Sequence, residues 1–312
     1  MRPRVATRRS RKEFCANIDI TAQVGIFSAA KMSKLAAQKT ELNPAAPVPA
    51  RVLENGAMPI KLISTDFDGT LHADHEDPPV PLDLQHMIAA LQSRGAKWVI
   101  NTGRDLSSLM ESLGRARLRI KPDYLVVVER EIYCHRETQY LELRGWNDKC
   151  RSMHEELFAR IRSEVPRLAQ WVNQRKRATV YEDSFSPFCI IAEHNDEMDV
   201  IQEMMEGFAA EVPGLATVRN DVYARFSHVA FNKGTALAEL AQLIGVTPEE
   251  TFAAGDHYND IPMLSGLHAK CIVCPDNAIP PIKQLVREQQ GYVSHQPWGH
   301  GVARGLEHYL SR

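Results

Sequence analysis

Asp66-Phe67-Asp68-Gly69-Thr70 follows a short apolar run from Ile60 to Ser64. Two carboxylates two residues apart, where a buried strand meets a loop, carry a desolvation cost unless a metal or a reaction uses them. Three further segments fall at similar places: Asn101-Thr102-Gly103-Arg104, Asn232-Lys233-Gly234-Thr235, and Gly255-Asp256-His257-Tyr258-Asn259-Asp260. Open α/β sheets bind ligands beyond the carboxyl ends of their strands, so the four are read as one set. Cleaving a phosphate ester needs a nucleophile, an acid for the leaving oxygen and positive charge for the phosphoryl oxygens. Asp66, Asp68, Asp256 and Asp260 are candidates to hold one Mg²⁺, a hard cation that takes oxygen ligands. Thr102 and Lys233 are candidates to grip the phosphoryl group, with Gly69 and Gly255 letting backbone approach it. Around them, Gly103, Arg104, Asn259 and Asn277 are candidate substrate contacts.

The elements that must position these residues alternate. Leu84, Met87, Ile88 and Leu91 share one helical face; Ala96 to Asn101 reads as a buried strand, and Asp105 as the cap of a helix over Leu106 to Leu113. A strand over Tyr124 to Val128 follows. Leu237, Leu240, Ala241 and Ile244 mark another helix, then come strand Thr251 to Ala254, a helix near Ile261, strand Lys270 to Cys274, helix Ala278 to Glu288 and a short strand at Tyr292. Strands alternating with helices predict an α/β fold with a doubly wound parallel sheet. Between Ile132 and about Phe226 the rhythm changes to helix, two strands, helix and an extended stretch over Thr217 to Arg225. That pattern predicts a core of residues 58–131 and 227–312, carrying an inserted α+β domain of residues 132–226.

The four segments, in this order, resemble the motifs of the haloacid-dehalogenase-like phosphatase superfamily, over essentially residues 59–312. The insert after the second segment, the run Asn232-Lys233-Gly234-Thr235-Ala236-Leu237, the spacing of Asp256, Asn259 and Asp260, and Gly301-Val302-Ala303 are similar to the Cof-type branch, which includes sucrose-phosphate and trehalose-phosphate phosphatases. The resemblance implies a Rossmann-like core whose insert is a cap, with Mg²⁺ as cofactor and a small phosphate ester as substrate. It implies that Asp66 attacks phosphorus to form an aspartyl phosphate. Asp68 would protonate the leaving alcohol and then deprotonate water, its backbone carbonyl meeting the metal. Thr102 and Lys233 would bind phosphoryl oxygens, Asp256 would complete the metal site, and Asp260 would stand beside it. A sugar phosphate is the expected substrate class. A specific disaccharide-phosphate phosphatase, a nucleotide or cofactor phosphatase, and a non-catalytic sensor of a phosphorylated metabolite are the alternatives. One departure stands out: where relatives often have an Asn-Gly pair at the entrance to the cap, this chain reads Glu129-Arg130-Glu131.

Composition narrows the remaining classes. The 312 residues divide 37 Lys/Arg against 39 Asp/Glu, but residues 1–57 hold 10 and 4 of these, which leaves the rest at −8. A body of that charge is a poor nonspecific partner for nucleic acid. No apolar run approaches the ~20 residues of a membrane helix, so a cytoplasmic protein without membrane association is expected. Residues 1–57 are expected to be disordered; a targeting segment, an interaction arm and an upstream start assignment are competing readings of them. The six cysteines are expected to be reduced, and the Cys271/Cys274 pair is read as core packing. Oligomeric state is not legible.

Overall fold

A computed structural model describes residues 60–311. The expectations for residues 1–57 lie outside the described residues. Strands β1 (Leu62–Thr65), β2 (Lys97–Asn101) and β3 (Tyr124–Val127) run parallel, with helices α1 (Leu82–Ser93) and α2 (Leu106–Ala116) between them. After β3, the hairpin β4 (Glu131–Arg136) and β5 (Gln139–Glu142) continues the same sheet in antiparallel sense. The chain then builds α3 (Arg144–Ile161), α4 (Val165–Arg175), β6 (Ala178–Tyr181), β7 (Cys189–Ala192), α5 (Asn195–Glu211), β8 (Leu215–Asn220) and β9 (Tyr223–His228). It returns through α6 (Lys233–Ile244), β10 (Thr251–Ala254), β11 (Cys271–Cys274), α7 (Pro280–Glu288), β12 (Tyr292–Val293) and α8 (Trp298–Leu310). The main sheet has the order β12-β11-β10-β1-β2-β3-β4-β5; a separate four-stranded sheet, β6-β7-β9-β8, is antiparallel throughout. This is the doubly wound α/β sheet with a second, smaller α+β layer that the alternation predicts.

Alternate residues of the main strands feed two different cores, as period-2 geometry requires. Ile63, Trp98, Ile100, Leu125 and Phe252 pack with α1 and α8, whereas Leu62, Val99, Val126 and Ala253 pack with α6 and α7. Trp98 is wholly buried because its indole N–H finds Thr65 Oγ1 at 3.1 Å. Cys271 and Cys274, three apart on β11, fall one into each core, so their side chains leave opposite faces. These two, with Cys134, Cys150 and Cys189, are buried free thiols. A third core, around Leu157, Met198, Ile201, Phe188 and Phe226, holds the second sheet to α3 and α5.

Two elements differ from expectation. No α-helix forms near Ile261; a single 3-10 turn, Tyr258–Asp260, stands there. The Asp260 carboxylate accepts the Asp256 and His257 N–H groups, and Pro262 has no N–H to continue a helical ladder. The extended stretch over Thr217 to Arg225 is two strands, β8 and β9, broken at Asp221, whose φ is +53°. Among the described residues no helix is long and apolar enough to cross a membrane.

Candidate active site

Strand order reverses between β1 and β10: the chain runs outward from β1 to β2 and β3 on one side and from β10 to β11 and β12 on the other. A crevice opens at such a switch point, beyond the strand ends. Asp66 follows β1 directly and its N–H is held by Ala254 O, the last residue of β10, at 2.9 Å. Asp256 stands two residues beyond that strand. Gly69, at φ +78°, brings the loop after β1 so close to Asp256 that a Cβ there would lie 2.6 Å from Asp256 Oδ2. Thr70 Oγ1 donates to Asp256 Oδ1 at 2.5 Å.

Lys233 opens α6, whose N-terminus is capped reciprocally by Asn232 and Thr235. Its ammonium donates to Asp66 Oδ1 and Asp260 Oδ1, each at 2.6 Å, and is fully buried. Asn101, at the end of β2, fixes the Lys233 backbone by donating to its carbonyl at 2.9 Å. Gly234 lets α6 abut the carbonyl of Pro262, so the lysine and the Asp260 turn are pressed together.

One lysine faces three carboxylates. Ligand atoms of Asp66, Asp256 and Asp260 all lie within 4.8 Å of one another. Burial, which Lys233 only partly offsets, and the neighbouring Asp260 and Asp256 hold the Asp66 carboxyl well above its usual range. Burial and then Asp260 push Asp256 up to about 7. Burial would lower the Lys233 ammonium, but Asp260 and Asp66 more than reverse this, so its net shift is upward. The cluster therefore carries surplus negative charge in low dielectric, which a hard divalent cation would relieve. Asp66 and Asp256 fit that ion; Asp260 is already committed to Lys233 and to two backbone N–H groups.

The other expected residues are placed as follows. Asp68 is not in the carboxylate cluster; its side chain forms a two-pronged pair with Arg104, Nε to Oδ2 at 2.6 Å and Nη2 to Oδ1 at 2.7 Å. Ser108 and Ser112 accept the remaining Arg104 prong, so the fork is fixed from α2. Thr102 is buried beside this loop, its Oγ1 accepting the Arg104 N–H at 3.2 Å. A Cβ on Gly103 would stand 3.0 Å from Glu129 Oε1. Asn277 lies at the rim, donating to Gly69 O at 2.7 Å and accepting from the Trp298 N–H at 2.7 Å.

Sequence reasoning missed what replaces the Asn-Gly pair. Val128 and Glu129 turn the chain with φ of +44° and +66°, without glycine, which costs of order 1–3 kcal/mol per residue. The turn is held against the Thr102 loop by Val128 N to Arg104 O and Glu129 N to Thr102 O, both 2.9 Å. Glu129 is buried and paired at 2.8 Å with buried Arg225, 96 residues away on β9. Trp146 donates its indole N–H to Arg130 O at 2.6 Å and packs on Phe231, which ties the start of α3 to this turn.

On this fold, the match to a phosphatase family and to phosphatase relatives makes the chain a phosphoric monoester hydrolase of the haloacid-dehalogenase-like class. The model of the family described as sucrose-6F-phosphate phosphohydrolase matches residues 59–310, and the chain belongs to that family. Among its relatives, the 5-amino-6-(5-phospho-D-ribitylamino)uracil phosphatase YcsE of Bacillus subtilis (strain 168) is 26% identical over 266 residues, 80% of this chain and 96% of that protein. The HMP-PP phosphatase of Yersinia pestis is 34% identical over 128 residues, 40% of this chain and 43% of that one. The sucrose-phosphatase of Synechocystis sp. PCC6803, solved with sucrose and phosphate, shares the fold at a TM-score of 0.61 and 19% identity, covering 81% of this chain and 98% of its own.

Proposed function

We propose that the chain is a Mg²⁺-dependent phosphomonoesterase acting on a small phosphorylated metabolite, and on a sugar phosphate in particular. The observation that carries this is Asp66 itself: a buried carboxylate at the switch point, one oxygen fixed by Lys233, within ligand distance of Asp256 and Asp260. Asp66 attacks phosphorus, forming a P–O bond to the carboxylate while the ester P–O bond breaks and its electron pair goes to the leaving oxygen. Asp68 gives that oxygen a proton, then takes one from the water that attacks the aspartyl phosphate, which releases phosphate and restores Asp66. Arg104 occupies both Asp68 oxygens, so proton transfer requires one prong of that fork to open. Lys233 orients Asp66, and Thr102 and Lys233 meet the phosphoryl oxygens. Asp66 and Asp256, with the Asp68 backbone carbonyl and Asp260 nearby, would hold Mg²⁺. When bound, the ion supplies positive charge against the carboxylates and the phosphoryl group.

Residues 132–226 serve as the cap in this reading, with β4 and β5 lying along the main sheet and β6 to β9 forming the cover. A cap that excludes water also selects the leaving group. Family membership favours a phosphorylated disaccharide within the sugar-phosphate class. The test is phosphate release from sucrose 6F-phosphate, monosaccharide phosphates, nucleotides and small phosphorylated acids, with Mg²⁺ and with chelator. Metal-dependent release by the wild type that vanishes in Asp66→Asn is expected. Release that survives in Asp66→Asn sinks the mechanism, and no release from any ester by a folded wild type favours a sensor.

A further inference from the structure

Three lysine and arginine side chains are buried among the described residues: Lys233, Arg225 and Arg130. Lys233 lies between Asp66 and Asp260, and Arg225 is paired with Glu129. Arg130 is bound differently. Its Nη2 donates to Phe185 O at 2.7 Å and its Nη1 to Ser227 Oγ at 3.3 Å, both uncharged acceptors, and no carboxylate among the described residues forms an ion pair with it. A guanidinium has five N–H groups, so three stay unused. Arg130 Nε is one of these and, unlike Arg225 Nε, it is not sealed from solvent. Burial and then the neighbouring Arg225 lower the Arg130 guanidinium to about 10, which leaves it charged at neutral pH. A buried cation without a paired counter-charge is rare, because nothing offsets its desolvation.

Arg130 lines a cavity of about 240 Å³, whose other walls include Glu131, Arg151, His154, Glu155 and Ser184. Neither glutamate closes on Arg130: Glu131 accepts from the Tyr133 hydroxyl at 3.2 Å, and Glu155 is exposed. Arg151 is held by Glu142 and Asp148. His154 Nε2 accepts the His228 N–H at 3.0 Å, so the ring proton is on Nδ1, which meets Cys150 O at 2.8 Å. Burial keeps that ring neutral, its pKa pushed down to about 3. The cavity shares no lining residue with the Asp66 cluster. A guanidinium with a free edge matches the paired oxygens of a carboxylate or a phosphate.

We propose that this cavity is a binding site for a small carboxylate or phosphate anion, separate from the acidic cluster, with the free N–H groups of Arg130 as its principal donors. The anion completes the charge pairing that Lys233 and Arg225 already have, and it joins the turn after β3 to α3 and to the loop between β6 and β7.

Calorimetric titration with malonate and with inorganic phosphate tests this, in chelator so that the acidic cluster holds no metal to attract either anion. Saturable binding of at least one by the wild type is expected; preference for malonate marks a carboxylate ligand, and preference for phosphate a phosphorylated one. Arg130→Gln, which keeps an amide donor for Phe185 O, should weaken the bound anion about tenfold. Glu155→Gln removes an exposed negative charge from the wall and should tighten it about threefold. No binding of either anion, or the same affinity in wild type and a folded Arg130→Gln, overturns the site. Should Arg130→Gln fail to fold, an unchanged affinity in Glu155→Gln overturns it instead. Turnover enters none of these readings, so the site stands or falls apart from the phosphatase reading.

Discussion

At the scale of single residues, the carboxylate cluster makes stability depend on pH and metal together. The Asp256 carboxyl moves from its ordinary 3.8 to about 7, and Asp66 moves in the same direction. A carboxyl whose folded pKa is raised favours folding while it is protonated. That contribution is complete below about 3.8 and is lost as pH climbs through 7. Without metal, the thermal midpoint is therefore expected to be lower at pH 8 than at pH 5 through this contribution. Mg²⁺ should raise the midpoint more at pH 8, with protons released on binding. A larger metal-induced rise at pH 5, followed by scanning calorimetry, contradicts this account. Gly69→Ala places a side chain at φ +78° and against Asp256 Oδ2; it should cost about 1–3 kcal/mol in chemical denaturation and weaken Mg²⁺ binding measured by titration. The residues of this cluster were legible because each sits in a short run with its own local signature: carboxylates after an apolar strand, a lysine after a capping asparagine. Glu129 and Arg225 were not, since neither segment carries a mark of the other across 96 positions. Only the absence of the Asn-Gly pair flagged the place.

Elements were legible where apolar spacing is regular. The stripe Leu84, Met87, Ile88 and Leu91 is the buried face of α1, and Asp105 caps α2 by accepting the Ser108 N–H at 2.9 Å. The β4–β5 hairpin shows how a signal is lost in a changing context. Ile132 and Cys134 are buried between half-buried Glu131 and Tyr133, an alternation that marks a strand, yet it lies where the rhythm of the chain shifts. The segment before Pro262 failed in the other direction, because a few apolar residues suggested a helix where the Asp260 side chain takes up the backbone donors. Phe231, at the return from β9 to α6, is 2% exposed and meets the rings of Trp146, His154 and His228. Phe231→Ala should cost about 3–5 kcal/mol of stability by urea unfolding. A loss below 1 kcal/mol would show that this aromatic junction does not hold the linker.

At the scale of the whole molecule, the packed cores among the described residues begin at Ile60, and residues 1–57 carry a positive excess against −8 for the rest of the chain. A chain starting at Met58 should melt and turn over as the 312-residue chain does, tested by calorimetry and phosphate release side by side. A lower midpoint or slower turnover would assign residues 1–57 a part in the fold or the reaction. The opposite terminus stands differently. Gly299, in the first turn of α8, rests on Leu71 O and Pro81, and the Trp298 N–H is tied through the Asn277 amide to Gly69 O. The last helix thereby props the loop that carries Asp66, Asp68 and Gly69. An affinity tag fused directly after Arg312, or a stop codon before Trp298, bears on the acidic loop from a distance. For immobilisation, biosensing or display, attachment at the carboxyl end consequently bears on the helix that props this loop.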